Sequence, residues 1–444
     1  MPSTKSKRAE VQLFVHSICC SESSKSLICL VMPLVNPDIM VWARKTAGLT
    51  IEEAATKIQL ERHKLEKIER GEDIPTPSML RRMAEKYRRP PVTFYLEDIP
   101  RKSNYGTDFR GRAKEYTPKE EAHVSALLRY AQSSQQLIRA TLELEEEAII
   151  LPFVGFLRQK WNLPKEAGSV KQRLLDMSTS QYKESVSDAL GGLDLVLGDE
   201  CTRDIYHAQP NKAKSFKLLR ASCERSGIFV ILKNDLGSYH TKMSSNLFRA
   251  FVVADEIAPL MVINSGDSEA AKSFSLLHEI VHLLLEQTGI SDLELSNPIE
   301  KFCNQVAGQW LLPSESLKAV WTGDQSRLPE LAGMISQLCE QWNLSHMMVA
   351  TRLHQEGLIL QEVYSQLMEV YKFEWERSRQ HNQKKSTGKQ DGGPGYFTTQ
   401  RSRLGEGMLH FADRMIQSGG LTVSKAAIIL GVKPWNVSKL LNPK

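Results

Sequence analysis

A chain of 444 residues, 41% hydrophobic and 25% charged, is too long for one core and has the composition of a globular protein of about two to four domains. Its net charge of +5 permits contact with nucleic acid but does not demand it, because clustering on a face is what matters. Seven cysteines, an odd count with no CxxC pair, argue against a disulfide framework and a cysteine-rich structural zinc site and fit a reducing cytoplasm, and no apolar run reaches the roughly 18 residues that span a bilayer.

Residues 1–31 show no period and are expected to be a disordered extension, with Met32 as a candidate start. From 32 to 100 the chain predicts five short helices. "PDIMVWARKTAG" places Ile39, Trp42, Ala43 and Ala47 at helical spacing. "LTIEEAATKI" opens on a capping box, Thr50 with Glu53. "RHKLEKIERGE" ends at Gly71, "TPSMLRRMAEKYR" starts on Thr76 and Pro77, and "PPVTFYL" closes the set.

Two helices joined by a tight turn, the second carrying Arg62, His63, Lys64 and Lys67, make a helix-turn-helix pattern. Those four side chains are the candidate contacts to double-stranded DNA, with phosphates supplying affinity and base edges specificity. The plainer alternative is a five-helix bundle with no DNA role. Glu61, Glu66 and Glu69 on the same helix weaken the field. The run through "IERGE" and the following proline resembles the Xre, Cro or lambda-repressor family. That resemblance implies an operator as partner, and modules that read paired half-sites suggest a homodimer.

Residues 101–215, including "TLELEEEAIILPFVGFLRQKW" and "VKQRLLDM", read as a helical connector. From 216 to 375 the pattern changes. "KLLRASCERSGIFVILK" is a helix, a glycine stop and a strand; "LFRAFVVAD" and "APLMVIN" are two further strands. A helix follows, "FSLLHEIVHLLLEQTG". The fold class expected is mainly α, multidomain, with an α+β core.

His278, Glu279 and His282 form HExxH on that helix. Residues four apart share a face, so both imidazoles can reach one ion, and Glu279 can serve as general base toward water. Zinc suits two imidazoles and a carboxylate, with one coordination place left open in a catalytic site. The plainer alternative is two helix histidines satisfied by backbone or carboxylate groups. Burying them with a glutamate among Leu276, Leu277, Ile280, Val281 and Leu283 without a joint purpose is costly.

A third ligand is sought in "SNPIEKFCNQVAGQWLLP". Glu300 is favoured, with Asn304 one turn on as a partner for a ligand histidine. The rivals are Glu300 as a capping-box residue behind Asn297, and Asp292 or Glu294 as the ligand. Tyr239, His240 and His346 are candidate oxyanion donors.

Phe248 to Pro313, through "FRAFVVADEIAPLMVIN", "FSLLHEIVHLLL" and "EKFCNQVAGQWLLP", resembles the ImmA/IrrE family of zinc metallopeptidase domains. "WNLSHMMVATRLHQEGLI" resembles the helical segment that follows there. The resemblance implies a zincin-like core, Zn2+ held by His278, His282 and Glu300, and Glu279 as base. Phe302 and Cys303 depart from the family's small and polar residues beside the ligand, and Ser275 stands where threonine is usual. It also implies a regulator that cleaves a repressor-like protein, or a non-catalytic antitoxin-like or repressor protein whose zinc is structural or sensory.

Residues 376–395, basic and glycine-rich, are expected to be a flexible linker. Residues 396–444 are expected to form a C-terminal helical domain. Within it, "LTVSKAAIILGVKPWNVSKLL" is either a second helix-turn-helix, offering Lys433, Trp435, Asn436 and Lys439, or a docking hairpin. No membrane partner or signal peptide is expected.

Overall fold

The structure, a computed structural model, describes residues 35–100, 117–166, 168–290, 297–321, 328–388 and 395–442. The expected extension 1–31 and the alternative ligands Asp292 and Glu294 lie outside the described residues.

The N-terminal helices are α1 (Pro37–Thr46), α2 (Ile51–Ile58), α3 (Arg62–Glu69) and α4 (Pro77–Tyr87), followed by a 3-10 turn at Pro91–Tyr95. The capping box at Thr50 and Glu53 forms as the sequence predicts. Ile39, Met40, Leu65, Ile68, Met83 and Phe94 make one small core. Glu69 faces inward rather than toward DNA: its carboxylate takes both arms of Arg44, at 2.8 and 2.9 Å.

The 101–215 segment contributes α5 (Pro118–Leu144), α6 (Phe156–Lys160), α7 (Ser169–Asp176), α8 (Thr179–Leu197) and α9 (Arg203–His207). After α10 (Lys212–Arg225) come β1 (Phe229–Leu232), β2 (Ala250–Val253) and β3 (Leu260–Ile263), then α11 (Glu269–Leu284) and β4 (Gly289–Ile290). The sheet order is β1-β3-β2-β4, with β1 and β3 parallel and the other pairs antiparallel. Three strands were legible in the sequence. The fourth has two residues, too short for any period to register.

Every residue of β2 and β3 is buried, so this sheet needs cover on both faces. Alternation divides the strands cleanly. Val230, Ala250, Val252, Met261 and Ile263 join the core that contains α8, α10, α11 and the helices after it. Those later helices are α12 (Pro298–Leu311), α13 (Ser314–Val320), α14 (Leu328–Gln341), α15 (His346–Gln355) and α16 (Gln361–Gly388). Ile231, Phe251, Val253, Leu260 and Val262 face a second core. That core is closed by α5 and by the C-terminal helices α17 (Tyr396–Ser418), α18 (Val423–Leu430) and α19 (Val437–Leu441).

Two segments expected as separate modules, the connector and the C-terminal domain, thus share a core with the sheet. Tyr130 on α5 donates its hydroxyl to the Ile429 carbonyl of α18 at 2.7 Å, which docks the C-terminal hairpin. Its second helix has only five residues, and Trp435 before it is 69% exposed beneath the Lys433 ammonium. The expected linker differs too: α16 continues to Gly388. "ERSRQHNQKK" contains no glycine or proline and several good helix formers, so nothing there stops the helix. No helix among the described residues is long and apolar enough to cross a membrane.

Candidate metal centre

Ser268 caps α11 by accepting from the Ala271 amide, and from Leu276 to Leu284 every residue of the helix is buried. His278, Glu279 and His282 are therefore enclosed, at 4%, 0% and 7% exposure. The i, i+4 spacing brings the two imidazoles together, with Nε2 atoms 3.0 Å apart and ring centroids at 4.9 Å.

Helix α12 packs against α11. Asn297 caps it by accepting from the Ile299 amide, and Pro298 fills the first helical position. Glu300 does not turn back to this cap. Its Oε2 lies 3.1 Å from His278 Nε2 and its Oε1 3.3 Å from His282 Nε2. Burial opposes the Glu300 charge, but the two imidazoles outweigh it and hold the carboxyl well below the usual range.

These spacings fit a shared ion. Donors about 2.0–2.1 Å from a tetrahedral zinc lie about 3.3 Å from one another. The three separations in the fold, 3.0, 3.1 and 3.3 Å, the last two made by the two oxygens of one carboxylate, are close to that value. Glu300 Oε2 is buried and faces His278 Nε2 at 3.1 Å without the alignment of a hydrogen bond, so its lone pair is turned toward the space between the rings. Two imidazoles and a carboxylate are the donor set zinc takes.

The remaining expectations fare differently. Asn304 is half-buried on α12 and makes no hydrogen bond to His278, whose Nδ1 is buried without a partner. His346 is engaged elsewhere, with Nε2 at 3.1 Å from Ser336 Oγ and its ring against Tyr371. His240 sits exposed in the short turn Tyr239–Thr241. Phe302 packs edge-on against Trp161 and Tyr182, which accounts for a bulky ring beside the ligand.

One residue, noted in the sequence only as a departure beside the ligand, lies close to the histidines. Cys303 is fully buried, and its Sγ lies with the nitrogens of His278 and His282 in a group whose atoms are all within 4.8 Å of one another. Its position three residues after Glu300, on the same helix face, was the signal that could have found it. Burial, with Glu300 and Glu279 adding to it, pushes the thiol well above its ordinary value while no cation is present.

On α3, Arg62, His63 and Lys67 are exposed and Lys64 is half-buried. Arg62 is not a free cation: it pairs with Glu52 at 2.6 Å and Glu66 at 2.7 Å. His63 Nδ1 is 3.2 Å from Glu61.

Residues 42–94 match the family model of a helix-turn-helix domain, and residues 223–354 match that of the IrrE N-terminal-like domain. The chain therefore joins a helix-turn-helix domain to a domain of metallopeptidase type. No curated protein and no solved structure matches it.

Proposed function

We propose that this chain is a DNA-binding transcriptional regulator whose second domain is a zinc metallo-endopeptidase acting on a repressor-like or partner protein in the cytoplasm. The observation that carries the reading is the convergence of His278, His282 and Glu300 within 3.0–3.3 Å of one another on two buried helices. In this reading the two Nε2 atoms and the Glu300 carboxylate hold the ion. Zinc, when bound, supplies Lewis acidity that polarises a peptide carbonyl and acidifies water. Glu279 takes the proton from the attacking water at its carboxylate and returns it to the leaving amine. The apolar wall of Leu276, Leu277, Ile280 and Val281 excludes bulk water and strengthens these charges.

The test is metal content together with cleavage. The purified chain is expected to hold one zinc and to cut a repressor encoded near it, and a chelator should remove both properties. A chain that never retains zinc would overturn the reading. A second reading, a regulator whose zinc is structural or sensory, draws on the complete burial of Glu279. It predicts zinc without cleavage.

For the N-terminal domain the proposal is operator binding through α3, as a homodimer. Each phosphate contact contributes about 0.9 to the slope of log K against log salt. Changing Arg62 and Lys64 together to Ala is expected to lower that slope by roughly 2. Arg62 must exchange Glu52 and Glu66 for phosphate, so Glu66→Gln should tighten binding. Electrophoretic shifts with the chain's own promoter across a salt series measure both.

A further inference from the structure

We propose that Cys303 is a fourth protein donor to the same metal, so that the resting centre is closed by two imidazoles, a carboxylate and a thiolate. This rests on the zinc reading of His278, His282 and Glu300. Helix α12 presents Glu300 and Cys303 at i and i+3, on one side of one helix. Facing them, α11 presents His278 and His282 at i and i+4. All four side chains are buried, at 4%, 7%, 4% and 0% exposure for His278, His282, Glu300 and Cys303.

Distance supports the assignment. A thiolate about 2.3 Å and an imidazole about 2.0 Å from a tetrahedral zinc lie about 3.6 Å apart. Sγ and the two imidazole nitrogens are already within 4.8 Å of one another. Closing the remainder takes a shift of at most about 1 Å, which a χ1 rotation shared with a small movement of α12 toward α11 supplies. His278 Nδ1 and Glu300 Oε2 are buried without an aligned hydrogen bond, so the polar groups around these imidazoles are not satisfied by the protein alone. A buried cysteine is ordinarily a small apolar filler. Cys303 differs because its Sγ lies within reach of the same two imidazoles that Glu300 meets.

The consequence is chemical. Structural zinc sites are closed by four protein donors, whereas catalytic ones keep a place for water. With Cys303 bound no place is left, and hydrolysis requires the thiolate to leave. The proton of the thiol passes to solvent when the metal binds. One residue would then set whether the domain is latent or open.

The full chain, stripped with a chelator and reloaded with Co2+, tests this without any substrate. One bound Co2+ with a sulfur-to-cobalt charge-transfer band in the near ultraviolet is expected, and Cys303→Ala should lose the band while keeping intense d–d absorption. Cobalt affinity should fall at least about tenfold, since even removing an outer partner of a metal ligand costs about 10–100-fold. Cys201→Ala, in a different part of the core, should leave the band unchanged. Should Cys303→Ala fail to fold by circular dichroism, Cys303→Ser replaces it, because a hydroxyl produces no such band. A wild-type chain that binds Co2+ without the band, or a band that survives loss of Cys303, overturns this proposal and leaves the zinc reading standing. No bound Co2+ at all overturns both.

Discussion

Glu279→Gln is expected to abolish peptide hydrolysis while leaving zinc content unchanged. The side chains have nearly the same shape, so a fully buried position tolerates the swap sterically. What disappears is the group that accepts a proton. A positioned general base contributes about 10²–10⁴-fold, and Gln cannot replace it. The measurement pairs zinc analysis with cleavage of candidate repressors, in wild type and variant. Loss of cleavage at equal zinc supports the peptidase reading; equal cleavage sinks it. His282→Ala gives the contrasting pattern, since removing a donor should lower zinc content and cleavage together. The Gln variant is the sharper of the two because it leaves His278, His282 and Glu300, the proposed donors, in place.

Much of this centre was legible because its information is local. HExxH places two imidazoles on one helix face by periodicity alone, and Asn297 with Pro298 marks where α12 begins. The choice between Glu300 as a capping residue and as a ligand was not local. It depends on how α12 lies against α11, and the fold brings Glu300 to the histidines. Cys303 was read only as a departure beside the ligand for the same reason: its spacing from Glu300 was visible, its distance to another helix was not.

The sheet teaches a related lesson. Its strands were readable as β-branched runs, and "LMVI" buried at every position implies cover on both faces. Which helices provide the second cover is decided by contacts across most of the chain, such as Tyr130 to Ile429. Periodicity marks α5 and α17 as amphipathic but is silent about their partner. The break inside α17 was equally hidden, because Gly405 lies in a stretch that otherwise keeps a helical pattern.

Gly405→Ala is expected to destabilise the fold by about 3–5 kcal/mol, the cost of breaking a buried ion pair. Gly405 interrupts α17 with φ 81° and ψ 164°, a conformation nearly reserved for glycine. The break lets the chain approach Arg220 on α10. Its guanidinium donates to the Ser402 carbonyl at 2.7 Å, the Arg403 carbonyl at 3.0 Å and the Val230 carbonyl of β1 at 2.5 Å. It also pairs with Glu224 at 2.9 Å, and Glu224 accepts from the Gly407 amide at 3.0 Å. A Cβ at 405 would stand 2.1 Å from Glu224 Oε1 and 2.4 Å from Arg220 Nη2, so the pair must part. Burial already raises the Glu224 carboxyl despite Arg220, so a parted Glu224 is left charged without compensation or takes up a proton. Thermal melts and limited proteolysis read the result: a lowered midpoint and early cutting within 396–442. Gly407→Ala is the milder comparison, because Gly407 has no positive φ and its Cβ, 3.1 Å from Glu224 Cβ, asks that side chain to give by a few tenths of an ångström rather than to leave Arg220. A Gly405→Ala chain as stable as wild type would show that neither the break nor the ion pair holds the C-terminal helices to the sheet.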